Sequence, residues 1–151
     1  MQNSSIQIQL ISSKETYIVR HPVLREGRPI ETCCFEGDAL DTTFHLGLFL
    51  NKELVGVASF MKNNNVIFAE QAQYQLRGMA ILKQHQGLGF GNQLLKHGEQ
   101  LLKNKNAALL WFNAREIAIN FYKKNNYQTL GNAFEITGIG THYVMFKKIL
   151  K

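Results

Sequence analysis

The chain has 151 residues, a formal net charge of +6, and 45% hydrophobic against 19% charged residues. That size and balance predict one globular domain over residues 1–151 with a real core. No apolar run approaches the roughly 20 residues of a membrane helix, and the scattered lysines form no block or aromatic-basic stripe for nucleic acid.

The start, Met1 to Ser5, has no basic stretch followed by an apolar one, so no secretory signal is expected. Cys33 and Cys34 are adjacent. Neighbouring cysteines rarely bridge, and two make neither a metal site nor a disulfide framework. Both are expected as buried thiols in a reducing cytoplasm.

Ile6 to Leu10 alternates apolar with polar and predicts a strand with one wet face. Ser12 and Glu15 have capping-box spacing, opening a helix whose first part Pro22 kinks or ends. Residues 26–42 show no period and predict a loop or short helix. Thr43 to Leu50 and Leu54 to Met61 are apolar runs parted by Asn51-Lys52-Glu53, a hairpin signal. Tyr74 to Leu82 predicts another strand, with a bulge at Gly78.

Leu94, Leu95, Gly98, Leu101 and Leu102 then share one helical face. Ala107 to Phe112 predicts a short buried strand, and Ile117, Ala118, Phe121 and Tyr122 a second amphipathic helix. Gln128 to Phe134 and Thr141 to Ile149 predict two antiparallel strands. The order is strand, helix, three strands, helix, strand, helix, two strands: a mixed α/β (α+β) sheet rather than a repeating βαβ unit.

Between a strand and a helix lies Gln86-Gly87-Leu88-Gly89-Phe90-Gly91-Asn92. Alternate glycines let backbone approach a ligand, and the helix start leaves N–H groups unpaired at its positive dipole end. Such a turn suits a phosphate. No Gly-Lys-Ser/Thr follows, which excludes a P-loop. A dinucleotide fingerprint needs a third glycine where Asn92 stands, and an acid where the apolar strand runs.

Gln86, Gly89 and Gly91 resemble motif A of the GCN5-related N-acetyltransferases (GNAT), Gln/Arg-x-x-Gly-x-Gly/Ala. A second register, Gln84, Gly87 and Gly89, fits the bare pattern; Leu94-Leu95 at the apolar helix start favours the first. Ala118-Ile119-Asn120-Phe121-Tyr122 with Asn126-Tyr127 resembles motif B, with Asn126 for glycine and Tyr127 for phenylalanine. Gln75 to Ala80, Asn113 to Glu116 and Gly138 to Met145 resemble a bacterial subgroup of undefined substrate.

The resemblance implies a GNAT-like fold: a mixed, mostly antiparallel twisted sheet, flanked by helices, with strands 4 and 5 splayed. It implies an acetyl-CoA-dependent N-acetyltransferase, with direct attack by a primary amine in a ternary complex. The runner-up is a catalytically inactive CoA-binding sensor or assembly module. The cofactor contacts it implies are Met79, Ile81, Lys83, Gln86, Gly87, Leu88, Gly89, Phe90, Gly91 and Asn92. Asn113 is a further cofactor candidate, with Arg115 beside it.

Tyr122 matches the tyrosine that contacts the CoA sulfur and protonates it, against the plainer reading of a core helix residue. The Ile81 N–H matches the group that polarises the thioester carbonyl. His142 is a candidate base, with Glu70 and Glu135, although a lone strand histidine is more often structural. His45 and Arg77 are candidates for the acceptor pocket. No metal is expected. The implied acceptor is a small-molecule or peptide amine, and relatives suggest a homodimer; neither nucleic acid nor membrane is an expected partner.

Overall fold

The computed structural model describes residues 5–149. The elements follow in chain order: β1 (Ile6–Ile11), α1 (Tyr17–Leu24), β2 (Phe44–Leu50), β3 (Glu53–Lys62), β4 (Gln73–Ile81), α2 (Phe90–Asn104), β5 (Leu109–Arg115), α3 (Ile119–Lys124), β6 (Gln128–Ile136) and β7 (Gly140–Lys148). Short 3-10 turns lie at Ile30–Cys33, Lys83–His85 and Glu116–Ala118.

The strands hydrogen-bond in the order β1-β2-β3-β4-β5-β7-β6. The pairs β1/β2, β2/β3, β5/β7 and β6/β7 are antiparallel, whereas β4/β5 is parallel. Among the described residues, registered β4/β5 partners are Gln73 with Leu109, Tyr74 with Leu110 and Gln75 with Trp111. These are the first three residues of each strand. This is the mixed, mostly antiparallel architecture the sequence predicts.

The expected capping box forms: the Ser12 N–H donates to Glu15 Oε1 at 2.9 Å, and the Glu15 N–H to Ser12 Oγ at 3.2 Å. Pro22 does not stop the helix, which runs on to Leu24. It sits in the last turn, so it removes a single intrahelical donor. The β2/β3 turn is tighter than the three residues expected. Asn51 (φ 49°) and Lys52 (φ 72°) alone make it, and Leu50 pairs with Glu53, as in a two-residue primed hairpin turn.

The chain forms two compact units, Met1–Lys62 with Leu76–Leu101, and Asn63–Gln75 with Leu102–Lys151. In the first, Val19 of α1 packs with Leu54, Val57 and Ala80 on one face of the sheet. On the other face Gly98 of α2 meets Phe60: a Cβ there would lie 2.1 Å from the ring. Gly56 likewise makes room for Ile81 and Leu94. In the second unit the Trp111 indole N–H donates to the Asn63 carbonyl at 2.8 Å, and Phe68 packs on Phe146.

Candidate active site

The first unit carries the glycine turn. The Leu82 N–H donates to the Val55 carbonyl at 2.8 Å, so the β4 end still bonds β3 there. Strand alternation therefore directs the Ile81 N–H away from β3. Gln86 has a role its motif does not advertise: its Nε2 donates to the Ile81 carbonyl at 2.9 Å, tying the turn to the strand end. Met79 is half-buried on the same strand.

Gly87 and Gly89 have φ of +81° and +84°. A Cβ at either would meet nothing within 4 Å, so backbone conformation, not crowding, calls for glycine. Gln86, Gly87, Leu88 and Gly89 are exposed, while Phe90, Leu94 and Leu95 are buried and anchor the helix start. The first bond into α2 runs from the Gln93 N–H to the Gly89 carbonyl at 3.2 Å. The N–H groups of Phe90, Gly91 and Asn92 therefore have no intrahelical partner. Among the described residues Asn92 Oδ1 is buried without a hydrogen bond.

Lys83 is exposed, and its Nζ meets Glu26 Oε2 at 2.7 Å. The hydrogen bond and charge of Lys83 hold the Glu26 carboxyl below its usual range. An exposed pair of this kind adds little stability.

The first unit also hides a network the sequence did not announce. Arg20 of α1 is fully buried and bonds Asp38 twice, the Cys33 carbonyl at 2.8 Å and Ser59 Oγ at 2.8 Å. His45 Nε2 lies 3.0 Å from the Asp38 carbonyl and Nδ1 2.6 Å from Ser59 Oγ. A carbonyl only accepts, so Nε2 carries a proton there. His45, a candidate for the acceptor pocket, is thus a buried structural residue. Cys33 is buried as expected, but Cys34 is exposed.

The second unit carries Tyr122. Its ring packs on Phe112 (4.2 Å between centroids), Phe121 (5.1 Å) and Tyr127 (6.1 Å). Burial raises the phenol above its usual pKa, so it stays protonated at neutral pH. Asn126 closes α3 with φ 70°, the left-handed conformation expected of the glycine it replaces. Tyr127 is buried against Phe112 at 5.1 Å. Asn113 and Arg115 are both exposed, two residues apart on β5, with Ala114 buried between them.

The three base candidates of this unit have local partners. His142 is buried, with Nδ1 2.8 Å from the Gly140 carbonyl and its ring tilted over Phe134. Glu135 accepts from the Thr141 hydroxyl, and Glu70 lies 3.6 Å from Lys148 Nζ. Among the described residues no group of three or more His, Cys, Asp or Glu is arranged for a metal ion. No helix there is long and apolar enough to cross a membrane.

Residues 9–127 match the acetyltransferase (GNAT) family. The chain is 36% identical over 144 residues to an uncharacterized N-acetyltransferase, YitI, of Bacillus subtilis (strain 168), covering 95% of this chain and 97% of that one. Its fold resembles the ribosomal-protein-S18-alanine N-acetyltransferase from Escherichia coli: TM-score 0.76, 17% identity, 96% of this chain and 94% of that one. It also resembles an aminoglycoside 6'-N-acetyltransferase complexed with coenzyme A: TM-score 0.77, 12% identity, 96% and 98% covered. The chain belongs to the GNAT family and is an acyltransferase of the N-acetyltransferase class.

Proposed function

We propose that the protein moves the acetyl group of acetyl-CoA to a primary amine by direct attack in a ternary complex. The observation that carries this is the turn at Gly87 and Gly89, which opens the 15-residue helix α2 with N–H groups lacking intrahelical partners. Backbone donors at a helix start fit a pyrophosphate, and their exposure leaves room for it. A CoA-bound fold relative supports the same ligand.

In this reading the N–H groups of residues 86–92 bind the pyrophosphate, and the β4 end at Met79, Ile81 and Lys83 orients the pantetheine arm. Acetyl-CoA supplies an acyl thioester. The Ile81 N–H stabilises negative charge on its carbonyl oxygen. A C–N bond forms as the C–S bond breaks, the amine loses a proton to water, and Tyr122 gives its proton to the thiolate and takes one back from water. His142, held on its own hairpin, is not needed as base, since water accepts the proton. Asn113, exposed on β5, remains a cofactor contact by resemblance alone.

The two solved relatives take a ribosomal protein and an aminoglycoside by their names, so the shared fold does not dictate the acceptor. The test is thiol release from acetyl-CoA with a broad panel of amines. Amine-dependent release with matching N-acetyl product supports the enzyme. Tight acetyl-CoA binding with no turnover across the panel supports the inactive module instead.

A further inference from the structure

We propose that Arg77 and Arg25 receive a carboxylate on the acceptor, so that the enzyme selects amines that also carry an acid group. The inference rests on the acetyl-transfer reading above and names the substrate class of that site.

Phe35, itself buried, gathers three guanidinium groups of the first unit. Arg20 Cζ lies 4.0 Å from its ring centroid, and Arg25 and Arg77 each 5.0 Å. Arg20 is neutralised by Asp38 at 2.7 Å. The other two have no counter-charge among the described residues. Arg25 donates only to carbonyls, Thr32 at 3.3 Å and Leu24 at 3.0 Å. Among the described residues neither Arg25 nor Arg77 makes an ion pair, and Glu26 is engaged by Lys83.

Both side chains are half-buried, where an uncompensated charge is costly. Burial, then the charges of Arg28, Arg77 and Arg20, pull the Arg25 pKa below its usual value. Two cations crowded about one ring are relieved by an anion, and stacked guanidinium planes suit a carboxylate.

The backbone is shaped to hold this arrangement on β4, the strand that ends at the proposed thioester site. Gly78 has φ +61°, and a Cβ there would lie 2.8 Å from Phe35 Cε2 and 3.1 Å from Arg20 Nε. The ring therefore rests against β4 next to Arg77. Arg77 precedes Ile81 by four residues, about 13 Å for an extended strand and somewhat less with the left-handed Gly78 between them, before the reach of its own side chain. A carboxylate directly beside the amine is too close to span that gap. Short peptides and ω-amino acids fit.

The experiment compares glycylglycine and β-alanine with their carboxamides as acceptors for the wild type, Arg77→Gln, Arg77→Lys and Arg25→Gln, with melting temperature as the folding control. The wild type should prefer each acid by about tenfold or more in kcat/KM. Arg77→Gln should lose that preference through a higher KM for the acid, leaving the amide rate and the KM for acetyl-CoA unchanged. Arg77→Lys should retain part of it. Equal use of acid and amide by the wild type, or a preference that survives both glutamine variants, overturns the proposal. Calorimetric titration with N-acetyl-glycylglycine and its amide needs no turnover. Tighter acid binding that is lost in Arg77→Gln supports the arginine pair even if acetyl transfer fails, and equal binding refutes it.

Discussion

Arg20 and Asp38 meet through two hydrogen bonds, Nη1 to Oδ2 at 2.7 Å and Nη2 to Oδ1 at 3.1 Å, with both side chains shut off from water. The pair fastens α1 to the segment that precedes β2. Its Coulomb energy is offset by desolvation, so removal of one partner matters more than the pair itself. Asp38→Ala leaves Arg20 charged and buried, and should cost about 3–5 kcal/mol in urea unfolding. A loss under about 1 kcal/mol would contradict this.

The same pair predicts an acid limb. Burial alone would raise the Asp38 pKa, but hydrogen bonds from Arg20 and the Phe35 N–H, with the charges of Arg20 and His45, hold it below its usual value. A depressed folded-state pKa contributes stability that is present above the unfolded value, about 3.9, and lost as pH falls through the folded value. In that window the unfolded chain binds more protons, so stability rises with pH. Unfolding free energy measured from roughly pH 2 to 5 should therefore climb less steeply in Asp38→Asn than in the wild type.

Gly98→Ala should destabilise the protein although alanine is the better helix former by about 1 kcal/mol. The added Cβ would sit 2.1 Å from Phe60 Cζ in a core where Phe60 is fully buried. Overpacking of this kind costs about 1–3 kcal/mol or more. A lower thermal midpoint, partly restored by Phe60→Leu in the same chain, is the expected result. A higher midpoint for Gly98→Ala alone would show that the ring yields freely.

Tyr122→Phe should lower kcat by about a hundredfold while leaving the KM for acetyl-CoA and the melting temperature nearly unchanged. The ring keeps its packing on Phe112, and only the proton donor is lost. Because burial raises the phenol pKa, wild-type kcat should show no fall from tyrosine ionisation up to about pH 9. An unchanged kcat in the variant would remove Tyr122 from the chemistry.

His142→Gln should act on stability rather than rate. Its Nδ1 bond to the Gly140 carbonyl lies within its own hairpin, and losing such a bond costs about 1 kcal/mol. The kcat and its pH profile should hold. A hundredfold fall in kcat at unchanged melting temperature would make His142 the base after all.

Where periodicity reports a buried face, the sequence was readable. The β2/β3 hairpin and α2 follow from apolar runs and helical spacing, and the Ser12–Glu15 box was visible as spacing alone. The alternation of β1 gave the strand but not a buried face, since Ile6 and Leu10 are exposed. Asn126 announced the end of α3 because few other residues adopt φ 70°. The Arg20 network was not readable. An arginine on a helix face and an aspartate in a loop 18 residues later look like solvated charges, and only tertiary packing buries both. His45 and Arg77 had equal standing in the sequence. The fold separates them, sending one into that network and leaving the other on Phe35 with no carboxylate partner among the described residues. Gln86 shows the same limit, since its tie to the Ile81 carbonyl depends on the turn's path and not on the motif.

Whether the glycine turn holds the cofactor is read by calorimetric titration of acetyl-CoA into the wild type and Gly89→Val. The wild type should bind one acetyl-CoA per chain. Binding should be lost or weakened at least a hundredfold in the variant, since valine resists the φ of +84° that aims the N–H groups, with helix content by circular dichroism retained. Wild-type protein that does not bind acetyl-CoA, or a folded Gly89→Val protein that binds it with normal affinity, would show that the turn does not hold the cofactor.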